Sequence, residues 1–265
     1  MIKIFILTIL SIEIIYSAPK APIHEKNLSS FFEDYQVSGS FLLYDLKNNE
    51  YIAYNKKRCK KGFLPASTFK IINSLIGLET GVIPDENYII KWDGVIRDIS
   101  PWNQDHTLNS AFRVSCVPYY QELARRVGVE KMKYFTSRSK YGKMDISENN
   151  LDKFWLEGKS RISQKEQIDF LVNFYNNQLP FSPATLAKVK NIMLVEENEQ
   201  YNLRAKTGWT FQDGIDIGWY VGYIEKEDQV YFFATQIESP KPDNDLFNRG
   251  RKEITMKIIR SLDIL

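Results

Sequence analysis

Apolar residues follow different patterns in consecutive segments of the chain. Residues 37–54 are rich in apolar and aromatic residues on either side of a polar turn at residues 47–49, and they predict two strands, 39–46 and 51–54. The next segment changes to a helical period, with Phe69, Ile72, Leu75 and Ile76 on one face. This pattern predicts a helix from about residue 66 to residue 80, ended by Gly81.

The middle of the chain is helical in pattern, and the last third is dominated by strands. Helices are predicted over about 119–126, 164–176 and 183–193, and aromatic and β-branched residues predict strands over 202–209, 217–225 and 229–238. Residues 226–228 would join the last two strands as a hairpin, and a closing helix is predicted over 245–262. Strands at both ends with helices between them favour an α+β fold, with an antiparallel sheet built from both termini. The sheet subdomain would cover about 18–90 and 196–265, and a helical insert about 91–195.

The first residues resemble a targeting segment. Lys3 is followed by an almost wholly apolar stretch over residues 4–15, and the small residues Ser17 and Ala18 offer a cleavage point. A membrane-spanning helix needs about 20 apolar residues, so this stretch favours a signal peptide at 1–17 over a retained anchor. We therefore expect a periplasmic or secreted protein with a single mature domain at 18–265.

Composition narrows the possible functions. The 265 residues are 43% hydrophobic, which is enough for one large domain, and the formal net charge is only +2. Near balance of charge argues against a nucleic-acid partner or a stable membrane partner, because both need clustered positive charge. The chain has only two histidines, so metal sites built on several His are excluded. Cys59 and Cys116 show no metal or redox spacing; we expect free, buried thiols, although export would permit a disulfide.

The strongest candidate for chemistry is Ser67-Thr68-Phe69-Lys70 at the start of the predicted helix. Residues three apart share a helix face, so the Ser67 hydroxyl and the Lys70 amine can meet. A hydroxyl needs a neighbouring base to become a nucleophile, and a lysine desolvated by apolar surroundings can be that base. Pro65 places Ser67 in the first helical turn, where free backbone N–H groups favour a developing oxyanion.

Two further motifs follow in the order expected for one catalytic constellation. Ser115-Cys116-Val117 precedes a helical stretch and offers a second hydroxyl. Lys206-Thr207-Gly208 lies on a predicted strand, where the glycine would let a substrate approach closely. Three such motifs in this order are typical of serine β-lactamases and penicillin-binding proteins.

The sequence resembles the class D β-lactamases, the oxacillinases, along nearly the whole mature chain. The stretches that carry the resemblance are Pro65-Ala66-Ser67-Thr68-Phe69-Lys70-Ile71, Lys91-Trp92-Asp93-Gly94, Trp102-Asn103-Gln104-Asp105, Ser115-Cys116-Val117, Phe154-Trp155-Leu156-Glu157-Gly158 and Lys206-Thr207-Gly208-Trp209. The resemblance implies the β-lactamase/transpeptidase fold. It also implies hydrolysis of penicillin-type antibiotics, and hence antibiotic resistance, by a monomer or homodimer whose partner is a small-molecule β-lactam.

The resemblance also implies a role for individual residues. Ser67 would be the nucleophile, and Lys70 would be carboxylated to N6-carboxylysine, which requires CO2 or bicarbonate but no other cofactor. Ser115 would relay a proton, and Trp155 would hold the carbamate by a hydrogen bond. The remaining roles are substrate binding and oxyanion stabilisation by Lys206, Thr207, Gly208, Trp209 and Arg251, with Arg249 as an alternative to Arg251, and a pocket wall made by Val117 and Leu156.

Two features depart from the family pattern, and two other functions share its fold. Lys143 stands where the family usually has Asn, and Cys116 replaces a more usual aliphatic residue. A β-lactam sensor would form the same acyl-enzyme without releasing it, and a cell-wall transpeptidase would usually carry Asn in place of Val117. The hydrolase accounts best for the complete set of motifs.

Overall fold

The computed structural model of the protein describes residues 21–265. The expected signal peptide at residues 1–17 lies outside the described residues. Within them, no helix is both long and apolar enough to cross a membrane.

The centre of the described chain is a seven-stranded sheet with the order β1-β3-β2-β9-β8-β7-β6. Its strands and the two short strands of a separate ribbon are Ile23–Glu25 (β1), Ser38–Asp45 (β2), Glu50–Tyr54 (β3), Ile89–Ile90 (β4), His106–Thr107 (β5), Leu194–Glu197 (β6), Asn202–Gln212 (β7), Ile215–Lys226 (β8) and Gln229–Ser239 (β9). The predicted sheet from both ends of the chain is confirmed, because β2 pairs with β9, from Ser38 opposite Glu238 to Asp45 opposite Tyr231. One pair departs from the antiparallel arrangement: β1 runs parallel to β3.

Helices cover both faces of this sheet. The α-helices are Ser29–Glu33 (α1), Lys70–Glu79 (α2), Leu108–Arg113 (α3), Val117–Val127 (α4), Val129–Arg138 (α5), Gln164–Tyr175 (α6), Pro183–Ile192 (α7) and Asn244–Ser261 (α8), and short 3₁₀ turns occupy Arg58–Lys60, Ala66–Phe69 and Ser100–Trp102. The predicted helices at 119–126, 164–176, 183–193 and 245–262 correspond to α4, α6, α7 and α8. The helix predicted from residue 66 begins with the 3₁₀ turn Ala66–Phe69 and becomes α-helical at Lys70.

Alternating side chains of the strands feed two hydrophobic cores. On β8, Trp219 and Val221 enter a large core shared with α2 and α4–α7, whereas Tyr220 and Ile224 enter a smaller core shared with α1 and α8. The same alternation separates Phe232 from its neighbour Phe233 on β9. Both faces of the sheet are therefore covered, and β7 presents Lys206 and Thr207 to opposite faces near one edge.

Candidate active site

Ser67 lies in a tightly held turn at the start of α2. The preceding residue, Ala66, has a backbone φ of 49°, a left-handed conformation that residues other than Gly rarely adopt. The Ala66 N–H donates to the Trp155 carbonyl at 2.8 Å, and Thr68 Oγ1 donates to the Pro65 carbonyl at 2.7 Å. Backbone and side-chain contacts on both sides of Ser67 therefore fix its position, with 7% of the residue exposed.

Lys70 directs its amine at the Ser67 hydroxyl. Its Nζ lies 2.7 Å from Ser67 Oγ, and the lysine is completely buried. Burial lowers the pKa of Lys70 from its ordinary value of 10.5 to about 7, because a charged ammonium loses its hydration there. No carboxylate among residues 21–265 forms an ion pair with it. At neutral pH a large share of the amine is uncharged and can accept a proton.

Ser115 and Lys206 meet although they are far apart in the chain. Ser115 lies between α3 and α4 with φ 55°, and Lys206 Nζ donates to its Oγ at 3.1 Å. Burial lowers the pKa of Lys206 well below its ordinary value, and the nearby positive charges of Lys70 and Arg251 lower it further. Residues of all three predicted motifs, Lys70, Ser115 and Lys206, therefore lie close to one another.

Trp155 carries an unusual buried donor. Its side chain is fully buried and stacks on Phe69 with 5.2 Å between ring centroids, yet its Nε1–H has no hydrogen-bond partner among the described residues. A buried donor without an acceptor costs about 1–3 kcal/mol, so its presence in a well-packed core favours an acceptor beyond the unmodified side chains. The Trp155 carbonyl already holds the turn that carries Ser67, so the donor belongs to the same region as the nucleophile. The residues present fit a carboxylated Lys70.

Gly208 packs against the turn that carries Ser67. A Cβ atom on Gly208 would lie 3.3 Å from the Ala66 Cβ, 3.3 Å from the Pro65 carbonyl oxygen and 3.2 Å from the Trp219 Cβ. We predicted that this glycine lets a substrate approach the strand. The structure gives an additional reason for it, the close packing of β7 on the nucleophile turn.

Arg251 and Arg249 occupy different positions on α8. Arg251 is buried, its Nη1 donates to the Gly208 carbonyl at 3.2 Å, and its guanidinium carbon lies 5.1 Å from the Trp209 ring centroid. Burial lowers its pKa to about 10. The Arg249 side chain is half exposed and lies 3.9 Å from Glu253. Of the two candidates, the structure therefore brings Arg251 to the Lys206-Thr207-Gly208 strand.

Val117 and Leu156 lie close in the chain to Ser115 and Trp155, respectively. Val117 is the first residue of α4, two positions after Ser115, and Leu156 directly follows Trp155. Both are partly buried, and Leu156 packs on the large core. Cys116 is buried between Ser115 and Val117; it and Cys59 are both free thiols. Lys143 is exposed and pairs through its backbone with Arg161, so its side chain lies on the surface.

One supporting network was missed in the sequence. Gln167 Nε2 donates to Thr68 Oγ1 at 2.8 Å, and Thr68 Oγ1 lies 3.2 Å from the Tyr141 hydroxyl. All three side chains are buried, and they fix the residue that follows the nucleophile. Only Thr68 lies within a motif, and nothing in the spacing of residues 68, 141 and 167 shows that they meet.

Comparison with known proteins is consistent with this geometry. Residues 39–260 match the family described as the penicillin binding protein transpeptidase domain. The chain is 42% identical over 240 residues to β-lactamase OXA-48 of Klebsiella pneumoniae, covering 91% of this chain and 89% of that protein. This chain belongs to the class D β-lactamase family.

Solved structures resemble this chain over nearly their full length. A class D β-lactamase from Sebaldella termitidis is 40% identical with a TM-score of 0.88, covering 93% of this chain and 99% of that chain. The C-terminal domain of the Bacillus licheniformis BlaR penicillin-receptor is 30% identical with a TM-score of 0.86, covering 94% of this chain and 100% of that domain. The fold of this chain is therefore shared by a class D β-lactamase and by a penicillin-receptor domain.

Proposed function

We propose that this class D β-lactamase hydrolyses the β-lactam amide of penicillin-type antibiotics through an acyl-enzyme on Ser67, and so confers antibiotic resistance. The observation that carries the proposal is the 2.7 Å contact between Ser67 Oγ and a fully buried Lys70 Nζ. A hydroxyl held against a largely uncharged amine is an activated nucleophile. The similarity of this chain to β-lactamases over most of its length supports the same chemistry.

In the acylation step, Ser67 Oγ attacks the carbonyl carbon of the lactam. The hydroxyl proton passes to the base at Lys70, and the backbone N–H groups of Ser67 and Trp209 stabilise the oxyanion. The carbon–nitrogen bond then breaks, and Ser115 relays the proton from the base at Lys70 to the leaving nitrogen, which frees the base for the second step. Lys206 Nζ donates to Ser115 Oγ at 3.1 Å and would hold that hydroxyl in place for the transfer.

In the deacylation step, the base at Lys70 removes a proton from water, which attacks the acyl carbonyl carbon. The ester bond to Ser67 Oγ then breaks, and the proton passes from the base to Ser67 Oγ. Carboxylation of the neutral Lys70 amine by CO2 would supply a carbamate base for both steps. Trp155 Nε1–H, which has no hydrogen-bond partner within residues 21–265, would donate to the carbamate. Val117 and Leu156 would form the wall of the carbamate pocket. Burial of Lys70 favours the uncharged amine that this modification requires.

The ring carboxylate of the substrate would be held by Lys206, Thr207 and Arg251. Arg251 supports this role because it is buried against Gly208 on β7 rather than solvated on the helix surface. A charge-assisted hydrogen bond from a buried guanidinium is among the stronger polar contacts available to a carboxylate. The substrate is thus anchored at one end while Ser67 attacks the ring.

We propose further that residues 1–17 are a cleaved signal peptide and that residues 18–265 act as a single domain in the periplasm or outside the cell. The sheet subdomain would be 18–90 with 196–265, and the helical insert 91–195. The enzyme would act as a monomer or homodimer on a small-molecule substrate.

A covalent β-lactam sensor is the second candidate, favoured by the likeness to the BlaR penicillin-receptor domain. Time-resolved intact-protein mass spectrometry of the mature protein with a penicillin separates the two, with Ser67→Ala as the control. A transient adduct on the unaltered protein and accumulation of ring-opened drug over many turnovers would support the hydrolase. A persistent adduct without turnover would support the sensor, and no adduct and no hydrolysis would refute both.

A further inference from the structure

A second cavity opens beside the candidate active site, at the edge of β7. It has a volume of about 420 Å³. Part of its wall is apolar, from Phe112, Met193, Val195 and Tyr220. Val195 is about half exposed, so the cavity opens to solvent and a ligand can enter it.

The cavity lies where β6 has not yet begun, since its first residue, Leu194, pairs with Arg204. β6 pairs with β7 only over Asn202, Leu203 and Arg204, and the Ala205 N–H then donates to the Met193 carbonyl at 3.0 Å. Beyond that contact, no strand within residues 21–265 pairs with the edge of β7 that faces away from β8. Lys206 and Thr207, the two residues proposed to hold the substrate carboxylate, line the cavity from this open edge.

Three basic side chains line this cavity, and among residues 21–265 no carboxylate does so. Lys206 is joined by Arg113 at the end of α3 and by Lys252 on α8, and the lining contains neither Asp nor Glu. Within residues 21–265, none of the three forms an ion pair. The charge of Lys252 also lies close enough to Lys206 to contribute to its lowered pKa. Uncompensated positive charge at a partly apolar opening favours an anion that also carries an apolar group.

We propose that this cavity is a substrate subsite for the anionic C3 substituent of cephalosporins, with Arg113 and Lys252 as specificity-determining residues. In a cephalosporin, the C3 substituent lies on the ring carbon next to the one that bears the carboxylate. A substrate held by its carboxylate at Thr207 therefore directs that substituent along the edge of β7. An apolar heterocycle ending in a sulfonate or carboxylate matches both the walls and the charges. This inference rests on the proposed function, because that function places the ring carboxylate of the substrate at Thr207.

Two cephalosporins that differ only at the end of the C3 group provide the probe. Both carry the same acyl side chain and a tetrazolylthiomethyl group, which is N-sulfomethyl in one and N-methyl in the other. Their dissociation constants are measured by isothermal titration calorimetry on the Ser67→Ala protein, which cannot be acylated. We expect the sulfonate to bind about fivefold tighter, as one partly screened charge contact would give, and this advantage to shrink between about 0.05 M and about 0.5 M NaCl.

Variants on the Ser67→Ala background assign the effect to the cavity. Lys252→Gln and Arg113→Gln should each reduce the sulfonate advantage to about twofold or less, because each removes one charge. Lys257→Gln is the matched control: this exposed lysine lies on α8 outside the cavity lining, and it should keep the full advantage. Equal binding of the two probes, or the same loss in Lys257→Gln, would overturn the subsite. Hydrolysis of both probes by the protein with Ser67 intact is measured in parallel. If neither probe is hydrolysed, the proposed function is refuted, and the ratio of the two dissociation constants still decides the subsite.

Discussion

Replacing Lys70 by Met should stabilise the fold while abolishing turnover. Met has a similar length and no charge, so it can fill the buried space that Lys70 occupies. The amine is held in that space at a free-energy cost, because an ammonium there loses its hydration and no carboxylate in the described chain pairs with it. A residue placed for catalysis at the expense of stability is expected to show this trade-off.

The size of the effect follows from the pKa of Lys70. A fall from 10.5 to about 7 corresponds to about 5 kcal/mol between the charged and neutral forms, of which about 4 kcal/mol is expressed at pH 7. Loss of the hydrogen bond to Ser67 Oγ offsets about 1 kcal/mol. The net expectation is about 3 kcal/mol of added stability at pH 7, or about 6–12 °C in Tm for a protein of this size.

The pH dependence supplies a second test of the same reasoning. Between pH 7 and pH 10.5 the unfolded lysine binds a proton that the folded lysine does not, so stability of the unaltered protein rises with pH. The free-energy cost of burying the Lys70 amine is fully present below pH 7 and is lost above pH 10.5. The advantage of Lys70→Met should therefore fall by about 2 kcal/mol between pH 7 and pH 9.

Urea unfolding followed by fluorescence measures both quantities. CO2-depleted buffer is used for both proteins, because carboxylation would remove the burden from the amine. Lys159→Met, which changes an exposed lysine, is the control and should alter stability by less than about 0.5 kcal/mol. A Lys70→Met protein no more stable than the unaltered one at pH 7, or an advantage independent of pH, would refute the argument.

Three other substitutions test the remaining contacts. Trp155→Phe should lower kcat by about tenfold or more through loss of one charge-assisted hydrogen bond, with partial recovery in bicarbonate; a kcat indifferent to bicarbonate would contradict the role of Nε1. Gly208→Ala should lower the free energy of unfolding by about 1–3 kcal/mol, because its Cβ presses on Ala66; an unchanged urea midpoint would contradict the packing. Arg251→Ala should raise KM for a penicillin about tenfold or more, whereas Arg249→Ala should not; equal effects would reject the assignment.

Local pattern was sufficient for most of the fold. Strands β7–β9 are rich in aromatic and β-branched residues, and helices α4, α6, α7 and α8 have helix-like sequence patterns. The predicted ranges differ from the observed ones by a few residues. The contact between Ser67 and Lys70 was predictable for the same reason, because residues three apart share a helix face. The parallel pairing of β1 with β3 was not predictable, since β1 has only three residues and no alternation to register.

Features that depend on packing between distant segments could not be predicted. Three features depend on which surfaces meet in three dimensions. They are the network of Thr68, Tyr141 and Gln167, the position of the Trp155 donor, and the cavity at the edge of β7. Motif spacing identifies residues that share a reaction, but it carries no signal for the side chains that hold them. The unmet hydrogen-bonding group of Trp155 is visible only once every buried neighbour is placed.

The pairing of β2 with β9 has a consequence for how the protein is made. These strands come from opposite ends of the chain, with Ser38 beside Glu238, so the central pair of the sheet cannot form until residues 229–239 have been synthesised. A nascent chain that lacks them leaves β2 with an open edge and buries neither core completely. Formation of this pair must wait for the last strands and closes a very long loop, which slows folding relative to a chain with mostly local contacts. Premature termination before β9 would thus release a chain that is unfolded rather than merely shortened.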